Sequence, residues 1–517
     1  MAKGAFMSVL VRRGATAAMV YLVAVQGAWA DLTAQDVWSD WRAYLSGAGY
    51  DISVSESRSG DTLTLTDLTM RVPIDDMGEG ETGQFAVSIP EVTLTERDDG
   101  TVSVGMSPEM PMTLSGDMDG ESTEAVLNYT QTGMTMLVSG APGDMTYAYS
   151  ASKAALDLVS LTIDGAPAPE GMLDVSVTME NLANTTGMTV GEMRRIDQDM
   201  TAGALDYSVS FDDPDTDDAV QIEGRLVDLA FEGGGTMPQD MDPNDIRGML
   251  DQGFAFDGSF RHSGGMTNID VTEDGDRVQF TSNSQSGMFR VGMDTGNLLY
   301  DLTQTGVNTE METADLPFPV AFSMAEAGFR VLLPVAETEE AQDFALSLTL
   351  DDFVMSDMIW MMFDAGQTLP RDPASILLDL SGKAKLLFDV FDTEAAMAMG
   401  EGDAQPAELE QLSIDRLLVS AAGAQLTGEG DFTFDNSDLQ SFGGAPRPEG
   451  EMSVQLVGAN ALLDRLIQMG LVSQEEAMQA RMMVGMFARP GEGEDTLISN
   501  VVVNEQGQVL VNGNRIK

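Results

Sequence analysis

The fold is decided by the end of the chain, Ala424–Lys517, in three pieces: "AQLTGEGDFTFDN" (424–436), "GEMSVQLVGANALLDRLIQMGLVSQEEAMQARMMVGMF" (450–487) and "TLISNVVVNEQGQVLVNGNRIK" (496–517). Leu426, Phe432 and Phe434 alternate with Thr427, Thr433 and Asp435, the two-residue period of a strand with one wet face. Gly428 and Gly430 interrupt that run and predict a bulge or a close backbone approach. Val454 and Leu456 carry a second strand. The period then becomes helical. Leu462, Leu463, Leu466 and Ile467 share one stripe, and Gly470 is a fitting C-terminal stop. Ser473 and Glu476 have the spacing of a capping box, in which each side chain satisfies a free N–H at the helix start. Met478, Met482 and Met486 give the second helix its stripe, and Pro490 ends it. Val501 and Val503 are expected to pair, through the turn "NEQG", with Val509 and Val511. Both helical stripes need an apolar surface, and the flanking sheet is the expected partner.

Working outward, the rest of the mature chain is mostly strand. Thr33–Ser46, "TAQDVWSDWRAYLS", is an opening helix with Thr33 as cap, Asp36 in its first turn and Gly47 as stop; Val37, Trp38, Trp41, Tyr44 and Leu45 share a face. Leu63 and Leu65 alternate with threonines, and Leu68, Met70 and Val72 continue on the other parity, which predicts a bulge near Asp67. Further strands carry Phe85/Val87/Ile89, Met134/Met136/Val138, Val175/Val177/Met179, Phe254/Phe256/Phe260, Leu298/Tyr300/Leu302 and Phe344/Leu346/Leu348/Leu350. Short helices are predicted near Met193–Thr201, over "DPNDIRGMLDQGF" (capped by Asp242, Pro243 in its first turn), over "SDMIWMMFD", and within "TEAAMAMGEGDAQPAELEQL" ahead of an acidic loop.

Runs of strands with Gly- and Asp-rich turns, without alternating βαβ units, define the fold class as mainly β (α+β). The expected architecture is long antiparallel, strongly curled sheets with a few short amphipathic helices packed on one face. Strands around a helix in each half admit a pseudo-duplication. The expected organisation is a cleaved signal peptide (1–30), an N-terminal β-rich half (31–240) and a C-terminal β-rich half (241–517) with the helix pair at about 460–487. Softer boundaries fall near 235–245 and 312–320. The leader reading rests on Lys3, Arg12 and Arg13, the apolar run "GATAAMVYLVAV" and the small-x-small site Ala28-Trp29-Ala30. It implies an exported, soluble periplasmic protein with no integral span after cleavage.

The net charge is −58, from 84 acidic and 26 basic residues, and removing the leader makes it more negative. Such a surface repels nucleic acid and anionic headgroups. There is no cysteine and a single histidine, His262. Disulfides, thiol catalysis and multi-histidine metal sites are therefore excluded within one chain. Hydrophobic residues make up 43%, enough to argue against disorder. Aromatics are 6%, too few for the girdles of an outer-membrane barrel.

Motifs of chemistry are sparse. Ser150 and Lys153 match S-x-x-K without the accompanying S-D-N or K-T-G. There is no G-x-S-x-G and no phosphate-binding loop. Asp212, Asp213, Asp215, Asp217 and Asp218 lack the EF-hand Gly and Glu positions and read as a solvated turn. With this many carboxylates, a glycosidase-type pair cannot be picked from sequence. No catalytic residue, metal ligand or cofactor is assigned.

Seven stretches resemble a known family: "DLTAQDVWSDWRAYLSGAGY" (31–50), "NYTQTGMTMLVSGAPGDMTYAYSA" (128–151), "GFAFDGSF" (253–260), "LPRDPASILLDLSGKAKLLFD" (369–389), "AAGAQLTGEGDFTFDNSD" (421–438), "PRPEGEMSVQLVGANALLDRLIQMGLV" (446–472) and "PGEGEDTLISNVVVNEQGQVLVNGNRI" (490–516). They look like the alphaproteobacterial family of unknown function numbered 2125. The resemblance implies an exported envelope protein and supplies no catalytic residue. The helix-then-hairpin ending is similar, more loosely, to curled-sheet envelope proteins that handle lipid. The expected function is non-enzymatic binding of an apolar ligand (lipid) or an envelope partner, with Trp41, Leu466, Met478 and Met482 as the candidate groove. The alternatives are a purely structural or scaffolding envelope protein and a carboxylate-dependent hydrolase.

Overall fold

A computed structural model describes residues 31–74, 82–118, 121–239, 241, 245–391 and 406–517. The expected leader, Asp242 and Pro243 of the second helix, and the helix expected within 393–405 lie outside the described residues. The chain forms one antiparallel sheet in which 64% of residues are strand and 11% helical, so the mainly β reading holds. Its hydrogen bonding runs without a break across residue 240, because the strand Ala219–Met237 pairs with both Ala255–His262 and Gly264–Glu273.

A pairing plan occurs twice. The long strand Gly83–Glu96 is followed in the sheet by two short strands laid end to end, Val102–Met106 on its C-terminal half and Glu109–Met118 on its N-terminal half. These pair with Thr135–Ala141 and Glu121–Thr132, and both of those pair with the long strand Asp144–Ile163. Ala219–Met237 repeats the plan with Ala255–His262 and Gly264–Glu273, then Ser286–Met293 and Asp276–Ser284, then Asn297–Thr313. This repetition lies in split strands, whereas the pseudo-duplication admitted from sequence was drawn around the two helices. From Asn297–Thr313 to Thr496–Val503 the sheet is a meander of long strands.

Five residues in mid-strand have left-handed backbones: Asp67, Asn181, Asp228, Gly306 and Asp352, with φ between 50° and 58°. At each the inward parity switches. Leu63 and Leu65 give way to Leu68 and Met70 after Asp67, and Leu348 and Leu350 to Phe353 and Met355 after Asp352. These positions fall on one line across the sheet. The junction residue Ser263 donates to the Val227 carbonyl beside Asp228, and Gln285 donates to the Thr305 carbonyl beside Gly306. Left-handed residues and bulges bend a strand, so the line is a crease. Asp67 and its parity change were legible in sequence. The glycine expectation also holds: a Cβ on Gly430 would sit 2.8 Å from the Glu451 carbonyl oxygen.

The helices are α1 (Ala34–Gly47), α2 (Ile246–Asp251), α3 (Asp357–Phe363), α4 (Ala459–Met469) and α5 (Gln474–Phe487). Thr33 with Asp36 and Ser473 with Glu476 form capping boxes at α1 and α5. Gly470 ends α4 in a left-handed conformation, and α2 is capped by Asp245. The main core lies under α1. Val37 and Trp38 are fully buried against Leu65, Val92, Leu94, Val102 and Val138.

Two expectations are corrected. The segment expected to be helical near Met193–Thr201 belongs to the strand Arg194–Asp212. The stripe Met478–Met482–Met486 does not lie on the sheet, since those residues are 61%, 63% and 70% exposed. The C-terminal hairpin is as expected, with Val501 opposite Val511 and Val503 opposite Val509.

Candidate functional site

Partners in an antiparallel pair point to the same side of a sheet. One cross-strand row can therefore be followed through the molecule. It starts at Leu63 and passes Leu94, Val104, Met136, Tyr149, Asn184, Met200 and Phe231. It continues through Phe260, Phe289, Leu302, Phe329, Leu348 and Leu378 to Leu417. At the usual spacing between strands this row is on the order of 70 Å long. A second row two residues away holds Tyr147, Thr186, Gln198, Gly233, Gly258, Val291, Tyr300, Val331, Leu346, Leu380 and Ile414.

From Asp144–Ile163 to Arg447–Val457, the residues that follow this alternation include one guanidinium, Arg194, and carboxylates only at one hairpin end, Glu273 and Asp276. The opposite face carries the charge. Several of its arginines pair across strands, as Arg225–Asp206, Arg261–Glu232, Arg290–Asp257 and Arg330–Asp301 do. In a chain this acidic, that segregation makes the sheet amphipathic.

Helices lie on the apolar face at both ends. At one end α1 covers the part of the face that runs from Leu63 to Tyr147. Trp41 packs on Tyr147, with ring centroids 6.4 Å apart. Asp40 reaches Arg194 at 2.9 Å, and the Tyr147 hydroxyl donates to Asp40 at 3.3 Å. Burial, and then the Asp40 charge, push the Tyr147 pKa up. At the other end α5 lies over Leu426, Val454, Leu456 and Leu497. Met483, Val484 and Phe487 border an apolar depression of about 210 Å³ there, with Val484 half-buried and Met483 and Phe487 exposed. Between these ends the face is open, and Leu302 and Phe329 are 45% and 46% exposed.

The four residues expected to line a groove are divided between the ends. Trp41 is half-buried at the α1 end; half-buried Leu466 and exposed Met478 and Met482 are at the α5 end. The side chains that border the depression under α5 are Met483, Val484 and Phe487, which the helical stripe did not single out. The bed itself, Phe231–Phe260–Phe289–Leu302–Phe329, was legible strand by strand but not as one row.

The other depressions offer less. One of about 890 Å³ lies mainly on the charged face, and its Arg195 and Arg290 are already bonded to Asp197 and Asp257. Among the described residues no group of three His, Asp or Glu side chains is placed to hold a metal ion. In the Asp212–Asp218 turn, Asp213 accepts from the Asp215 N–H and Asp218 from the Asp274 N–H. Ser150 shares its hydroxyl with Thr135 at 2.8 Å, and no hydrogen bond joins it to Lys153 among the described residues. His262 is buried beside Gly287 on the crease. Buried Asp364 accepts the Thr368 and Leu369 N–H groups and closes the loop after α3.

Among the described residues, every carboxylate whose pKa is displaced is displaced downward. Ser437 and Arg447 hold Asp435 at about 2. Hydrogen bonds likewise lower Asp270, Asp364 and Glu476. A glycosidase-type general acid needs the opposite shift.

Fold and face together define a class: a mainly β protein of one creased amphipathic sheet, its apolar side roofed by helices at both ends and open between them. Residues 268–516 match the family model described as an uncharacterized protein conserved in bacteria, the family of unknown function 2125. The matched stretch contains the segments at 369–389, 421–438, 446–472 and 490–516 quoted above, while those at 31–50, 128–151 and 253–260 precede it. No curated protein and no solved structure gave a match. No helix among the described residues is long and apolar enough to cross a membrane.

Proposed function

We propose that the protein is a non-enzymatic carrier of lipid, exported to the periplasm by its cleaved leader and holding acyl chains on the apolar face of the sheet. The observation that carries this reading is the apolar face itself, whose charges are the paired Arg194 and the hairpin-end Glu273 and Asp276. Its cross-strand row extends for tens of ångströms and stays open between α1 and α5. Exposed apolar patches of more than a few hundred Å² are rare on soluble proteins and mark ligand or partner surfaces. Acyl chains suit such a bed because they need burial and no directed hydrogen bonds. The acidic opposite face keeps the carrier dispersed in water. An envelope protein that delivers or receives the lipid belongs to the same reading.

The test is mass spectrometry of extracts from protein purified without detergent. Bound lipid in at least stoichiometric amount is the expected result. A lipid-free, monodisperse protein would support the scaffolding alternative instead.

A further inference from the structure

The apolar face carries several polar side chains, among them His262, Gln304 and the hydroxyl pairs Tyr207–Thr267 and Ser282–Thr309; the uncharged polar island beside the roof of α1 is Asn184, Thr186 and Gln198. Asn184 Nδ2 donates to Thr186 Oγ1 at 3.1 Å, and Asn184 Oδ1 accepts from Gln198 Nε2 at 3.2 Å. Tyr149, the cross-strand partner of Asn184, donates to Gln131 Oε1 at 3.2 Å. Thr186 is the register partner of Tyr147, against which α1 packs, so the island starts where the helical roof ends. On its other side Met200 leads to Phe231 and the open bed.

Polar side chains on an apolar face cost stability unless they are bonded. Here part of the bonding capacity is left over. Gln198 Oε1 and the Thr186 hydroxyl proton have no protein partner among the described residues, and both residues are half-buried. No free positive charge accompanies them. Arg194, the guanidinium on this face, is held by Asp40 with both side chains under a tenth exposed.

We infer that Asn184, Thr186 and Gln198 seat the uncharged polar headgroup of a lipid of the diacylglycerol kind, whose acyl chains run from the island along the Phe231–Phe260–Phe289 bed. A hydroxyl or ester group matches one free acceptor and one free donor. A phosphate finds no cation here, and the field of the acidic chain opposes it. This inference rests on the lipid-carrying reading above.

The test loads detergent-free protein from phosphatidylcholine vesicles containing equal small fractions of diacylglycerol, phosphatidylglycerol and free fatty acid. The protein is repurified and its lipid quantified by mass spectrometry. The wild type is expected to enrich diacylglycerol about tenfold over phosphatidylglycerol, the value of one or two neutral hydrogen bonds plus the missing cation. The variant N184L/Q198L is expected to lose that preference to within about twofold while its total lipid stays the same. The milder T186V is expected to lose part of it, which keeps the test alive if the double variant fails to fold. F329D is the control that lowers every lipid class together. Lipid loaded without class preference, a preference for phosphatidylglycerol, or a preference that survives both island variants overturns the inference and leaves the carrier reading standing. No lipid of any class on the wild type overturns both.

Discussion

Asp40 and Arg194 form the one ion pair among the described residues in which both side chains are less than a tenth exposed. Removing one member of such a pair leaves an uncompensated buried charge, which costs about 3 kcal/mol or more. Arg194→Met should therefore lower stability by about 3 kcal/mol in urea unfolding, and the double variant D40L/R194M should recover most of that loss. A single variant costing less than about 1 kcal/mol would mean that the apolar contacts of Trp38 alone fasten α1. Asp435 gives a pH dependence. Its folded pKa is about 2 against an ordinary 3.8, so its contribution is complete above the ordinary carboxylate range. It is lost as pH falls through the folded value. Asp435→Asn should lower the urea midpoint near neutral pH, and the difference from wild type should vanish near pH 2. A difference that does not change with pH would show that the Ser437 and Arg447 bonds do not select the ionised form. Much at this scale was legible in sequence, because the capping boxes at Thr33 and Ser473 and the stop at Gly470 are local. Arg194, in contrast, meets Asp40 only through the tertiary fold.

The elements misread from sequence show what interfered. In Arg194–Met200 the inward positions are Arg194, Ile196, Gln198 and Met200. Two polar residues among them hide the alternation, and the spacing of Met193, Ile196 and Met200 imitates a helix. The same Gln198 belongs to the polar island, so the residue that spoiled the strand reading is one assigned a ligand role. The α5 stripe failed for a different reason. Met478, Met482 and Met486 satisfy the helical period, yet the half-buried residue toward the sheet is Val484, with the partly exposed Met483 and Phe487 beside it. Met482→Asp should leave stability within about 0.5 kcal/mol, as at an exposed position. Val484→Asp should lower it by about 2 kcal/mol by placing a carboxylate between the helix and the apolar sheet. Equal effects would contradict this placement of the helix. The crease makes its own prediction. Asp228 has φ 50°, so Asp228→Val should cost about 1–2 kcal/mol while Asp228→Gly is nearly neutral, both read by thermal unfolding.

At the scale of the whole molecule, each strand displayed its alternation in sequence, but the order of strands did not. The split strands put residues far apart in the chain into one rank, and the crease changes parity within a strand, so Phe231 and Ile222 share a face that a simple two-residue count denies them. Segregation of charge to one side became visible only when the register joined these runs. The central claim is that the apolar side, and not the charged side, holds the lipid. The most direct measurement places a photoreactive residue in turn at Leu302 and Phe329 on the apolar face and at Asp301 and Arg330 on the other, irradiates the lipid-loaded protein, and weighs the adducts. Lipid adducts are expected at 302 and 329 and none at 301 and 330. Adducts of equal yield on both faces, or on the charged face alone, would contradict it.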